Sequence, residues 1–257
     1  MRCFVAIALF CFSHISWAGS VNIAVAANFA TAAKQVGEAF QQQSEYTVVI
    51  SSGSTGKLFA QIEHGAPYDL FLAADSRRPR LLEQSGKAVR GSRFTYALGR
   101  LVLWSSRPGY VDDSGSILKK GDFKRLAIAN PRLAPYGLAA RQVMTRLGVW
   151  ENLRGRLVQG ESIAQTFQFV ASGNAALGFV ALAQFRAIGG TGSVWQVPEE
   201  LYQPIRQQVV LLQRAKNSTA ANAFWRYLQG SEAQTLIRSM GYESEVVASS
   251  ARNDVIE

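Results

Sequence analysis

A chain of 257 residues with 48% hydrophobic side chains can build one large or two small domains around a sizeable core. Its net charge of +9 comes from dispersed basic residues that are not interleaved with aromatics along a stripe, which excludes a nucleic-acid groove. Two cysteines and two histidines leave almost no material for zinc clusters, disulfide frameworks or His-based triads.

In chain order, residues 1–18 read as a secretory signal peptide. Arg2 supplies the positive start, Cys3 to Phe12 is an apolar core, and Ser16-Trp17-Ala18 is a small-x-small cleavage pattern that makes Gly19 the first mature residue. The core is shorter than the ~20 residues a bilayer span needs, and Phe10 does not supply the small residue that a lipidated Cys11 requires. Both cysteines and His14 leave with this segment, so His64 is the sole histidine of the mature chain.

The apolar run Val21 to Ala26 predicts a strand and leads into the loop Ala27-Asn28. Phe29, Ala32, Ala33, Val36, Ala39 and Phe40 then recur at helical spacing. Thr47 to Ser51 is a second strand, followed by Ser52-Gly53-Ser54-Thr55-Gly56 and a short helix through Leu58, Phe59 and Ile62, ended by Gly65 and Pro67. Leu70 to Ala73 is a buried strand, with Asp75 placed to cap the next helix. Strands follow at Leu101–Trp104, Leu126–Ala129, Ala176–Val180 and Val209–Leu212, with helices at Leu138–Leu147, Ile163–Ala171 and Ala221–Leu228. This alternation argues an α/β protein.

Four strand-to-helix loops share one chemistry. To the two loops above are added Asn130 to Gly137 and Gln159-Gly160-Glu161-Ser162, the latter with Ser162 as N-cap. Helix N-termini carry unsatisfied N–H groups and ~+0.5 of a charge each, so four facing each other across a crevice would compensate a dianion without a charged side chain. Such a crevice lies at the carboxyl ends of strands in open α/β sheets. Catalytic and nucleotide motifs fail. Gly53-Ser54-Thr55-Gly56-Lys57 suggests a P-loop, but Ser51 stands where its first glycine belongs and Leu58 replaces the hydroxyl that would bind magnesium. Ser54 has Ser52 two residues before it, so it is no nucleophile elbow. Tyr96, Tyr110, Tyr136 and Tyr202 could coordinate ferric iron, but no acid or histidine cluster accompanies them. Arg77, Arg78 and Arg80 form the one dense basic patch, read as a solvated face with a minor role in steering an anion.

Ala26-Ala27-Asn28-Phe29, Ser51 to Gly56, and above all Gln61 to Asp75 resemble the periplasmic molybdate-binding proteins of ABC importers. Asn130-Pro131 with Ala134-Pro135-Tyr136-Gly137, and Ala176 to Val180, are similar to the family's second-lobe segments. The resemblance implies a two-lobe periplasmic binding protein fold (type II), with mixed sheets flanked by helices and a ligand cleft between lobes. It implies a first lobe of residues 19–98 plus 210–257 and a second of 99–209, joined by hinge strands near 95–103 and 204–212. The implied oxyanion contacts are Asn28, Thr55 and the backbone N–H groups of Tyr136 and Ile163, with the Tyr136 phenol a bystander. Ala27 and Ser54 are possible additional contacts. Ala27 stands where some relatives have a threonine ligand, and Ala181 near where another branch uses a tyrosine.

The implied function is capture of molybdate, and of tungstate with it, for delivery to a membrane permease. A receptor for another tetrahedral oxyanion such as sulfate is the alternative. The reading entails no catalysis, no direct metal ligand, no cofactor, no nucleic acid, a monomer and a periplasmic location. An exported hydrolase is disfavoured by the lack of His and Cys chemistry. A regulator's sensing domain is disfavoured because it would need an attached DNA-binding module. N-terminal sequencing of exported protein is expected to begin at Gly19. A lipidated Cys11 would overturn that cleavage.

Overall fold

The computed structural model describes residues 19–244, so residues 1–18, where the signal peptide is expected, lie outside them. The chain opens with β1 (Ser20–Ala26), a 3-10 turn at Ala27–Phe29, α1 (Ala30–Gln42), β2 (Thr47–Gly53), α2 (Thr55–Glu63), β3 (Leu70–Ala73), α3 (Arg77–Gln84) and β4 (Phe94–Gly99). It crosses to β5 (Leu101–Ser105), α4 (Ile117–Lys120), β6 (Leu126–Ala129), α5 (Pro135–Arg146), α6 (Trp150–Leu153), β7 (Leu157–Gly160), α7 (Ile163–Ala171), β8 (Leu177–Ala181), α8 (Leu182–Ala187) and β9 (Ser193–Gln196). It returns through β10 (Ile205–Leu211) to α9 (Thr219–Tyr227) and α10 (Ser231–Ser239).

Two five-stranded mixed sheets result, ordered β2-β1-β3-β10-β4 and β7-β6-β8-β5-β9. In the first, β1 pairs in parallel with β2 and β3, while β10 runs antiparallel to β3 and β4. In the second, β6 pairs in parallel with β7 and β8, while β5 runs antiparallel to β8 and β9. Each sheet is covered on both faces, which is why its inner strands read as unbroken apolar runs. Along β3, Leu70 and Leu72 pack with Phe29, Val36 and Phe224. Phe71 and Ala73, on the opposite face, pack with Leu58, Leu82 and Val210.

The first passage between sheets falls at Arg100, between β4 and β5, inside the expected hinge. The second falls between Gln196 and Ile205, upstream of most of the expected 204–212. Residues 205–209, expected in the second lobe, belong with the first, because β10 pairs only with β3 and β4 along its length. An apolar strand's periodicity reports burial but not which sheet buries it. Strands β7 and β9 and helix α8 carry no strong sequence pattern; β7, for example, is an edge strand with two half-buried residues, one exposed and one buried. Helix α10 is missed although Ala233, Leu236, Ile237 and Met240 recur at helical spacing. Helix α2 starts at Thr55, three residues before the apolar signal at Leu58, because its first turn is set by the loop and not by periodicity.

All four singled-out loops leave the carboxyl ends of β1, β2, β6 and β7, each at a sheet edge or next to it. Placing α5 over the end of β6 needs a residue with no side chain. A β-carbon on Gly137 would fall inside the van der Waals envelope of the Ala129 carbonyl oxygen. Because that obstacle is backbone, Gly137→Ala is expected to lower unfolding free energy by about 1–3 kcal/mol, measured as a lower urea midpoint at unchanged slope.

Candidate ligand-binding site

Each element brings its loop in with a different group. In the turn after β1, Asn28 is buried and Ala27 half-buried. Ser54 and Thr55 are buried at the start of α2. Pro135 occupies the first turn of α5, where its missing N–H costs nothing, and Tyr136 follows, fully buried. Ser162 caps α7 as expected, its Oγ accepting from Gln165 N at 3.3 Å, and Ile163 is buried behind it. The N–H groups of Tyr136 and Ile163 lie in first turns, where no carbonyl four residues back is available.

The two lobes meet along these loops. Gly56 N donates to the Leu133 carbonyl at 2.8 Å, a backbone bond between α2 and the loop before α5. Arg78 Nη2 donates to the Arg132 carbonyl at 2.9 Å while its other nitrogen pairs with Asp75. Ala26 and Ala74 of the first lobe share one apolar cluster with Ala134, Tyr136, Ile163 and Ala181 of the second, and Ala27 packs against it. Asn28, Thr55, Tyr136 and Ile163 thus all stand at the seam, as do Ala27 and Ser54. Ala181 is fully buried and offers no side-chain donor, and its backbone N–H donates to Gln184 Oε1 at 3.1 Å.

The donors that result suit an acceptor-only guest. Thr55 Oγ1 accepts from Ala74 N at 3.2 Å, which leaves its own hydrogen to donate. Ser54 Oγ is buried with no partner among the described residues. Among the buried polar residues of the described chain the only acid is Asp69, and it braces β1 and the segment after β10: its Oδ2 accepts from Asn22 N at 2.8 Å and its Oδ1 pairs with Arg214 at 3.1 Å. Asp75 accepts from Arg78 N at 2.9 Å, the capping role read from sequence. Glu161 is exposed and faces Lys57 at 3.7 Å. No group of three or more His, Cys, Asp or Glu suited to a metal ion occurs among the described residues. Beside the seam, Arg77, Arg78 and Arg132 line a cleft of about 490 Å³ together with Asp75, Pro131 and Arg206.

Sequence reasoning missed the residues behind Asn28. Asn28 Nδ2 donates to Gln207 Oε1 at 2.7 Å, and Tyr96 Oη donates to the same oxygen at 3.3 Å. Tyr242 Oη donates to the Asn28 carbonyl at 2.6 Å. The available signal was Gln207-Gln208 leading directly into the apolar run Val209–Leu211, since a buried amide in a core strand must have partners.

The chain belongs to the bacterial extracellular solute-binding protein family. That family's model matches residues 21–243. The chain is 51% identical over 229 residues to the molybdate-binding protein ModA of Azotobacter vinelandii, covering 88% of this chain and 90% of that one. It is 48% identical over 228 residues to ModA of Rhodobacter capsulatus, covering 89% and 90%. A solved structure, the periplasmic molybdate-binding protein of Azotobacter vinelandii, superposes with a TM-score of 0.85 at 42% identity, covering 87% of this chain and 99% of that one. The two-lobe solute-binding fold implied by the resemblance is therefore the fold of this chain.

Burial fixes the protonation of the seam of this solute-binding protein. The phenols of Tyr96, Tyr136 and Tyr242 are all pushed well above the ordinary tyrosine range, first by desolvation; neighbouring phenol charge adds to the shift for Tyr96 and Tyr136. Their hydroxyls therefore stay protonated through the ordinary tyrosine range. A phenol whose folded pKa is raised contributes stability that is whole below its unfolded pKa of about 10 and is lost as pH rises beyond it. The melting temperature is expected to decline above about pH 10, with absorbance at 295 nm showing these three phenols ionising only as the chain unfolds.

Proposed function

We propose that this protein captures molybdate, and tungstate with it, between its lobes and delivers it to the membrane permease of an ABC importer. The observation that carries the reading is a seam of donors with no acid among them, built by four helix N-termini, in a chain about half identical to two molybdate-binding proteins over nine-tenths of its length. In this reading Asn28 and Thr55 donate side-chain hydrogens and Tyr136 and Ile163 backbone hydrogens. Ser54 is an additional donor, supported by its unpartnered buried hydroxyl. Ala27 contributes only a backbone.

The carrier works without catalysis, resident cofactor or direct metal ligand, because every proposed contact is a donor to oxygen. A periplasmic location and a monomeric state complete the proposal, the former supported by the signal-like residues 1–18 and by the periplasmic relative. Monoprotonated phosphate would need a carboxylate to receive its proton, and none stands among the proposed contacts. Sulfate has the same acceptor-only chemistry as molybdate, so size alone distinguishes them.

Calorimetric titration of the mature protein is expected to rank molybdate and tungstate together, sulfate far below, and phosphate near zero. Sulfate binding equal to molybdate would reduce the assignment to a general oxyanion receptor. Thr55→Ala and Asn28→Ala should each weaken molybdate by about 1.5–3 kcal/mol, or roughly 10- to 150-fold, the worth of a hydrogen bond to a charged partner.

A further inference from the structure

Asn28, Ser54, Thr55, Tyr136 and Ile163 are all buried at the seam, so an anion held among them enters and leaves only when the lobes part. Parting breaks the bonds that the lobes make directly to each other. Two of these lie side by side: Gly56 N donates to the Leu133 carbonyl at 2.8 Å, and Arg78 Nη2 to the Arg132 carbonyl at 2.9 Å. An exposed ion pair, Lys57 with Glu161 at 3.7 Å, also spans the seam, but pairs of that kind contribute little.

Gly56 is the second residue of α2, where a helix leaves its N–H without an intrahelical partner. Here that hydrogen goes to the other lobe. A β-carbon on Gly56 would stand 3.0 Å from the Leu133 α-carbon, 3.1 Å from the Leu133 carbonyl oxygen and 3.0 Å from Arg78 Nη2. Carbon atoms in contact prefer about 3.5–4.0 Å, so a side chain at this position would hold the lobes apart. The helix itself does not ask for glycine, because the φ of Gly56 is not positive and alanine is the better helix former.

Both halves of this contact are braced. In the second lobe the two carbonyls sit on a turn held by Asn130, whose Oδ1 accepts from Arg132 N at 2.9 Å and whose carbonyl accepts from Leu133 N at 3.1 Å and Ala134 N at 2.8 Å. In the first lobe Asp75 pairs with Arg78 Nη1 and accepts from Arg78 N, which leaves Nη2 for the Arg132 carbonyl.

Resting on molybdate as the ligand, we propose that Gly56 and Arg78 form a clasp that holds the lobes shut on the anion and sets how long it stays. Both are positioning residues, and neither touches the anion. Gly56 follows Thr55, and the Leu133 carbonyl belongs to the turn that leads into Tyr136, so the clasp fixes the gap between a donor of each lobe. Its bonds form only once the lobes are together. They therefore oppose release without assisting the first encounter, and changes at the clasp act on the dissociation rate.

The test times capture and release of radiolabelled molybdate, release being followed into excess unlabelled molybdate, alongside melting of the ligand-free protein. Gly56→Ala is expected to speed release about 10-fold while capture stays within about 2-fold of wild type. Its ligand-free melting temperature should not fall, since α2 gains a better helix former. Arg78→Lys keeps the positive charge but loses the planar fork that serves Asp75 and Arg132 together, and should speed release about 3- to 10-fold. That variant carries the test alone should Gly56→Ala not fold. Unchanged release in either variant, affinity lost through slower capture alone, or a lowered ligand-free melting temperature of Gly56→Ala would each overturn the clasp. Wild-type protein that binds no molybdate would overturn the ligand reading and the clasp with it. Wild-type protein that binds molybdate but releases it no more slowly than Gly56→Ala overturns the clasp alone.

Discussion

Four helix N-termini meeting at one seam impose a condition on everything around them. Their partial positive charges repel one another unless an anion or nearby carbonyls intervene. The bond from Gly56 N to the Leu133 carbonyl and that from Arg78 to the Arg132 carbonyl relieve part of this at the periphery. At the centre the side chains are alanine, serine, threonine and asparagine, which bring donors without bringing charge. A carboxylate at this point would neutralise the seam permanently and compete with any anionic guest. The acids near it are accordingly tied elsewhere, Asp75 to Arg78 and Asp69 to Asn22 and Arg214.

The fold serves this meeting. Parallel strands β1 with β2, and β6 with β7, end side by side, so two loops per sheet emerge together at the carboxyl edge. The passages at Arg100 and between Gln196 and Ile205 connect the lobes near the middle of the chain path, leaving the loop-bearing edges to face one another. Close backbone approach is bought by glycine where it is needed, at Gly137 against β6 and at Gly99 against Tyr136. Aromatic rings fill the region behind the seam. Phe29 packs edge-on against both Tyr96 and Tyr242, with ring centroids 4.7 and 5.1 Å apart, which holds the phenols that support Asn28.

Most strands and the four loops were legible in the chain. Ile23 to Ala26, Leu70 to Ala73 and Leu126 to Ala129 are continuous apolar runs because both faces of each sheet are covered, and burial on two faces is a local property of composition. Ser162 was visible because capping chemistry is written within three or four residues, and Asn28, Ser54 and Thr55 because they are polar residues in short loops between an apolar strand and a helix. The weaker elements were not legible. Strand β7 lies at a sheet edge with two half-buried residues, one exposed and one buried, so its four residues lack a clear alternation.

What the sequence determined by itself is therefore local: an α/β alternation, a set of donor-rich helix starts, and the lack of catalytic acids, thiols and imidazoles around them. What only the tertiary structure decided is association over long separations. That β10 completes the first sheet, and that Gln207 on it reaches Asn28 across 179 positions of sequence, follows from sheet order, which no local pattern encodes. The same holds for Tyr136 meeting Gly99. Side-chain burial is specified by neighbours along the chain, but the partner of a buried polar atom is specified by which distant strands pack together.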